Sequence, residues 1–259
     1  MWILKRKFVE VKQLSQHSNM SDILNSIAEQ ILYEDNHIIV LNKKNSQIVH
    51  GDKTGDMSLD DMVKHYLKER YNKPGNVYCG VVHRLDRPVS GALIFAKTDK
   101  ALTRLNNMVK NHEIQKTYWA ITRSNPPKDQ DTLKNYIIRN EKTNKSYITK
   151  DVNNGLYAEL DYKVVGRSDY YTLLEINLKT GRHHQIRVQL AHIGCPIKGD
   201  LKYGFGRSNK IASISLHARH LSFIHPVKKE LVEITAPVPQ DALWQYFEAN
   251  NNSEFQSQN

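Results

Sequence analysis

The amino-acid sequence predicts one α+β unit, built on a mixed, mainly antiparallel β-sheet with flanking helices. Three observations lead there. Strand-like runs outnumber helical ones, and the two kinds do not alternate in a regular βαβ order. No interior stretch is long and loose enough to separate a pair of domains. The chain has 259 residues, 39% hydrophobic and 25% charged, which suffices for a sizeable core and excludes wholesale disorder. No apolar run approaches the ~20 residues of a membrane span.

Residues 1–20 have no periodicity and read as an arm, after which Ser21 caps a short helix carrying Ile23, Leu24 and Ile27. His37 to Leu41 is a β-branched apolar run and predicts a buried strand, with Gln47 to His50 as its partner. Ser58 and Asp61 resemble a capping box, and Leu59, Val63, Tyr66 and Leu67 share the helical face behind it. Pro74-Gly75 marks a turn; Ala92 to Ala96 is a strand, and Asp99 opens a helix with Leu102, Leu105 and Met108. Further strands are expected at Tyr118 to Thr122, Tyr136 to Ile138, Ala158 to Val165 and Tyr171 to Leu178. His184 to Ile193 has a helical pattern stopped by Gly194 and Pro196. Leu231 to Ala236 is a last strand and Ala242 to Phe247 a last helix. Three segments follow: an arm with a short helix at 1–30, a body at 31–249 and a disordered polar tail at 250–259.

Charge narrows the partners. There are 37 Lys+Arg against 27 Asp+Glu, a formal charge of +10. Between Lys179 and Lys229 lie ten cationic residues, six of the twelve histidines and one acid, Asp200. Such a surface attracts phosphate backbones by Coulomb energy and counterion release, although charge alone is equally a solvated basic face. Two cysteines, Cys79 and Cys195, are too few for a disulfide scaffold and suit a reducing compartment. Met1 to Gln30 lacks the apolar core of a secretory signal, so the cytoplasm is the expected location.

Two segments carry chemistry. In His83-Arg84-Leu85-Asp86-Arg87-Pro88-Val89-Ser90-Gly91 a carboxylate stands between guanidinium groups that favour its ionised form, on an expected loop with a Ser-Gly turn. An ionised carboxylate serves as nucleophile or base, whereas in isolation the pattern is more simply an ion pair anchoring a turn. In Thr180-Gly181-Arg182-His183-His184-Gln185-Ile186-Arg187 a strand ends, glycine turns the chain and a helix opens among cationic donors. The spacing lets one of Arg182 and Arg187 face a ligand phosphate and the other an internal carboxylate. Alone, this too reads as a basic capping turn.

Together the two segments resemble the RluA-type RNA pseudouridine synthases. His83 to Gly91 is similar to their catalytic motif, and Thr180 to Arg187 to their second signature. Lys116-Thr117-Tyr118 resembles their Lys-x-Tyr strand. Pro196-Ile197-Lys198-Gly199-Asp200 with Tyr203-Gly204, and Leu216-His217-Ala218 with His225-Pro226, match later signatures, in order from Ile31 to Pro239. Three departures stand out: Lys43-Lys44-Asn45-Ser46 replaces Lys-Pro-x-Gly, Val89 replaces a common threonine, and His183 a threonine or serine.

The resemblance implies a stand-alone pseudouridine synthase domain without an S4 domain, acting on ribosomal or transfer RNA as a monomer. It implies Asp86, Tyr118 and Arg187 as catalytic residues, and His83, Arg84, Arg87, Lys116, Arg182 and His184 as RNA contacts. Asp86 would attack C1′ of a flipped-out uridine or remove its 2′ proton. Arg84 would help fill the gap in the helix, Tyr118 would carry the free base, and Arg187 would pair with Asp86. An RNA-binding protein of the same fold with little catalysis is the alternative. No cofactor, metal or membrane is expected. A zinc site from His83, His184, His192 and Cys195 matches no standard spacing, and His217, His220 and His225 are expected to contact phosphate or pack.

Overall fold

The computed structural model describes residues 21–51 and 55–256; the expected arm at 1–20 lies outside them. Its strands are β1 (Ile31–Glu34), β2 (Ile38–Lys43), β3 (Gly80–Val81), β4 (Ser90–Ala96), β5 (Gln115–Thr122) and β6 (Gln130–Asn140), followed by β7 (Lys145–Thr149), β8 (Leu156–Arg167), β9 (Thr172–Leu178), β10 (Leu216–Ile224) and β11 (Leu231–Thr235). Residues 21–28 are helical (α1), and the other helices are α2 (Leu59–Arg70), α3 (Asp99–Lys110), α4 (Gln185–His192) and α5 (Ala242–Gln256). All described strands join one sheet in the order β1-β2-β4-β10-β5-β9-β8-β6-β7, with β3 beside β4 and β11 beside β10. Every pairing is antiparallel except β4 with β10. The fold is the expected α+β class.

Alternation along the central strands divides the core. Ile39, Leu41, Leu93, Phe95, Tyr118 and Ala120 point to the face covered by α2 and α4, where Leu59, Val63, Leu67, Ile186 and Leu190 meet them. Ile38, Val40, Ala92 and Ile94 point the other way, to Ala101 and Leu105 of α3. Trp119 and Ile121 face Trp244 and Phe247 of α5. Each such buried side chain contributes roughly 1.5–3 kcal/mol. β4 is buried along its whole length, as a central strand covered on both faces must be.

Several expectations change. Gln47 to His50 is not a strand: the Ile48 and Val49 carbonyls accept the Leu59 and Asp60 N–H groups at 2.8 and 3.2 Å and close the start of α2. Ser58 is the N-cap of α2, yet its hydroxyl turns to the Asp60 and Asp61 carboxylates instead of accepting a backbone N–H. Thr98, one residue before Asp99, caps α3 by accepting from Ala101 N at 3.2 Å. α5 continues to Gln256, so residues 250–256 are helical where a disordered tail was expected.

Ser90 and Gly91 form the first step of β4 and not a free turn. They pair in parallel with His217 and Ala218 of β10. Gly91 has φ +115, and a Cβ there would sit 2.4 Å from the Ala218 carbonyl oxygen. Only glycine permits that approach, which puts the loop before β4 over the middle of the sheet.

Candidate active site

Asp86 stands on the loop between β3 and β4, above the face that carries Tyr118. Lys43, the last residue of β2, holds that loop from below. Its side chain is wholly buried, and Nζ donates to the carbonyls of Lys44 (3.2 Å), Arg87 (3.1 Å) and Val89 (2.6 Å). Burial pulls its pKa down to about 7; the charge of Asp86 opposes that shift and Arg87 adds to it. Ser46 N donates to the Arg87 carbonyl at 2.9 Å, and Ser46 itself has φ +70. Serine thus takes the left-handed conformation that the glycine of Lys-Pro-x-Gly would take freely, at a cost of roughly 1–2 kcal/mol.

The second segment is shaped by Gln185. Its Oε1 accepts from Thr180 Oγ1 (2.8 Å) and Arg182 N (3.0 Å), while its Nε2 donates to the Glu159 carbonyl (3.0 Å). One amide therefore closes the loop and ties it to β8. His184 follows in the left-handed conformation (φ 55, ψ 23) and α4 starts at Gln185, one residue later than expected.

Arg187, with its side chain only 6% exposed, joins two carboxylates. It donates from Nη1 to Asp86 Oδ2 at 2.9 Å, and bidentately to Asp200 from Nε (2.7 Å) and Nη2 (2.9 Å). Burial works against its charge, but the Asp200 hydrogen bonds and charge, with those of Asp86, outweigh it and raise its pKa. The guanidinium carbon lies 5.1 Å from the centre of the Tyr203 ring. The expected Arg187–Asp86 pair is therefore present, but Asp200 is the tighter partner.

Tyr118 is buried on β5; burial first, and the charge of Asp86 second, raise the pKa of its hydroxyl. Lys116, two residues earlier on the same strand face, reaches towards the second loop: a Cβ on Gly181 would lie 3.9 Å from its Nζ. Burial lowers its pKa. Arg84 is exposed. Arg87 pairs with Asp56 at 2.7 Å and stays exposed, and Arg182, half-buried, donates from Nε to the Tyr157 carbonyl at 2.8 Å.

Two histidines expected to contact RNA turn inward. His83 Nε2 accepts from Ile94 N at 3.3 Å, and burial, then the charge of Lys116, lowers its pKa to about 3. His184 has its Nε2 3.3 Å from Asp86 Oδ2 and its Nδ1 2.9 Å from the Tyr203 hydroxyl. His217 and His225 are fully buried and pack, His217 between Ser90 Oγ (2.8 Å) and the Ala236 carbonyl (3.2 Å). Among the described residues no group of His, Cys, Asp or Glu side chains is arranged to hold a metal ion.

Lys43, Asp200 and Tyr203 join the site without having been expected there. The signal for Lys43 was a lysine ending an apolar strand, in step with its buried positions. Asp200 was the one acid in the basic stretch.

A carboxylate held by arginine, near enough to a buried tyrosine for its charge to act on the hydroxyl, on a loop that also carries exposed arginines, suits chemistry on a base of a polyanion. Comparison with known proteins agrees. Residues 37–192 match the family model described as RNA pseudouridylate synthase. An uncharacterized RNA pseudouridine synthase of Bacillus subtilis, YlyB, is 36% identical over 215 residues, covering 82% of this chain and 69% of the relative. Ribosomal large subunit pseudouridine synthase D of Buchnera aphidicola (from Acyrthosiphon pisum) is 33% identical over 256 residues, covering 91% of this chain and 80% of the relative. Human RNA pseudouridylate synthase domain containing 4 shares the fold at TM-score 0.75 and 21% identity, over 91% of this chain and 98% of its own. Human RNA pseudouridylate synthase domain containing 1 follows at TM-score 0.64 and 25% identity, over 85% and 93%. The chain belongs to the RNA pseudouridylate synthase family, isomerases that act on RNA.

No described helix is long and apolar enough to cross a membrane.

Proposed function

We propose that this enzyme isomerises a uridine in ribosomal or transfer RNA, with Asp86 as the reacting group on a flipped-out base. The observation that carries the reading is the asymmetry of the Asp86 carboxylate. Arg187 grips one oxygen at 2.9 Å, while the side chain stays 30% exposed above Tyr118. A charge that served only to anchor the loop would be better buried. In the reaction the C1′–N1 bond breaks, the uracil turns, C5 joins C1′, C5 gives up its proton and N1 takes one. Asp86 starts this by attacking C1′, forming an ester that breaks when C5 joins C1′, or by taking the 2′ proton to give a glycal and returning it once C5 has joined C1′.

Extruding the base costs a few kcal/mol of stacking. In this reading exposed Arg84 enters the gap, and the Tyr118 ring gives the released base a flat support, with stacking worth ~1–3 kcal/mol. Lys116 and Arg182 meet the backbone, and Arg87 does so after leaving Asp56. The free, buried cysteines fit a reducing compartment, and we place the enzyme in the cytoplasm.

The test uses ribosomal and transfer RNA carrying 5-tritiated uridine. Replacing the C5 hydrogen is intrinsic to the isomerisation, so tritium should enter the solvent with one of the two. Release from neither would sink the substrate assignment.

A further inference from the structure

The second contact to Asp86 comes from His184, and it lands on the same oxygen that Arg187 holds, Oδ2. Among the described residues no hydrogen bond or ion pair goes to Oδ1. Behind His184 the polar chain continues inward. Its Nδ1 lies 2.9 Å from Tyr203 Oη, and Ser146 N donates to that same oxygen at 2.8 Å. His184 and Tyr203 are both buried, with ring centres 5.5 Å apart and nearly perpendicular, and His183 stacks on His184 at 3.8 Å.

These contacts determine the order of protons. Ser146 N is a donor and can only give to Tyr203 Oη. A proton on His184 Nδ1 would leave a bare Nε2 lone pair facing the carboxylate, which is repulsive. The other tautomer satisfies every member: Ser146 N–H to Tyr203 Oη, Tyr203 O–H to His184 Nδ1, and His184 Nε2–H towards Asp86 Oδ2. Burial, against the pull of Asp86, brings the His184 pKa down to about 3, so the ring is neutral at pH 7. At 3.3 Å the pair is close but short of hydrogen-bond geometry, and catalytic hydrogen bonds commonly tighten only when substrate is bound. The left-handed backbone of His184, rare for a residue other than glycine, is what aims the ring back at Asp86 and not outward along α4.

We propose that His184 and Tyr203 are positioning residues for the isomerisation: the chain from Ser146 through Tyr203 and His184 pins Asp86 by Oδ2, so that Oδ1 is the oxygen presented to the uridine. This rests on the reading of Asp86 as the reacting group. It removes His184 from the RNA contacts implied by the resemblance.

The test has a spectroscopic and a kinetic arm, which fail separately. Histidine 15N NMR of the whole chain, with His184 assigned by its loss in His184→Gln, should show a neutral ring protonated at Nε2 at pH 7. In Tyr203→Phe that preference should weaken. In the tritium-release assay Tyr203→Phe should lower kcat about tenfold, the worth of one hydrogen bond, with KM for RNA unchanged. His184→Gln should lower kcat by about 10–100-fold, again without raising KM, with a melting temperature close to the parent's. A ring protonated at Nδ1 or at both nitrogens would overturn the proposal, as would a parental kcat in His184→Gln or a loss carried by KM. A parent chain that releases no tritium would overturn the functional reading, while the NMR result would still decide the order of the hydrogen bonds.

Discussion

Asp86 and Asp35 are both aspartates beside a buried histidine and a cation, yet they are built to opposite ends. Asp35, 13% exposed, has both oxygens occupied. Oδ1 accepts from His37 N (2.8 Å) and Ile38 N (3.0 Å), while Oδ2 meets Lys228 (3.1 Å), His225 Nε2 (3.0 Å) and the Tyr33 hydroxyl (3.3 Å). Burial alone would raise its pKa, but the backbone donors, with Lys228 and His225, outweigh that and bring it to about 2. Asp86 is more exposed and is held by one oxygen only. A carboxylate that holds the fold together is saturated with donors, whereas Asp86, the group proposed to react, keeps an oxygen in reserve. The partners are similar in type, and the difference lies in how many lone pairs the surrounding backbone consumes.

The largest effect that could break this contrast is at Asp86 itself. Asp86→Asn should bind RNA like the parent and melt within a few degrees of it, yet lose tritium release by ~10³-fold or more. An active, folded Asp86→Asn would erase the distinction between the two aspartates. Next comes Arg187→Ala, which leaves Asp200, 1% exposed, as a buried charge without its bidentate partner. We expect it to lose turnover and also ~3–5 kcal/mol of stability by urea unfolding. A loss of activity with no loss of stability would mean that Asp86, and not Asp200, is the main partner.

Lys43→Met should cost ~2–4 kcal/mol, because it strips donors from buried carbonyls that shape the Asp86 loop. Its pH dependence has a definite sign. The folded pKa of about 7 lies below the ordinary 10.5, so between these values the unfolded chain binds more protons than the folded one. The parent's stability relative to Lys43→Met should therefore grow as pH rises from about 7 to 10. Denaturant curves across that window that run parallel would contradict it.

At Asp35 the sign is reversed. A folded pKa of about 2 against 3.8 means a contribution of about 2 kcal/mol that is complete above pH 4 and lost as pH falls through 2. Asp35→Asn should be less stable than the parent at pH 6 and nearly equal to it near pH 2, with tritium release at pH 7 unchanged while it stays folded. The smallest effect is expected at Arg84, which is exposed. Arg84→Ala should weaken RNA binding a few-fold while leaving the slope of log affinity against log salt nearly unchanged, because Arg84 enters the gap among the bases and not a phosphate site. A slope that falls by about one would make Arg84 a phosphate contact instead.

The sequence alone determined the features of this protein that depend on near neighbours. The apolar spacing of α2 and α3, the buried run of β2 and the glycine and proline that stop α4 are all local, and each element forms where those residues place it. The segment that carries Asp86 was legible too, because His83 to Gly91 packs its signature into nine consecutive residues. Tertiary structure decided everything that needs a partner far along the chain. β10 escapes the strand pattern because a bulge between Ala218 and His220 breaks its alternation, and it becomes a strand through β5 and β4. Gln47 to His50 is extended in pattern, but its carbonyls go to the start of α2. Asp86 and Arg187 stand 101 residues apart and meet only because Gly91 lets β4 close on β10 and Gln185 closes the loop before α4. Whether a histidine beside them faces RNA or the carboxylate is set by the backbone angle of His184 and the hydroxyl of Tyr203. No sequence pattern of histidines contains that choice, because a neutral ring donates or accepts according to what the fold puts on its other side.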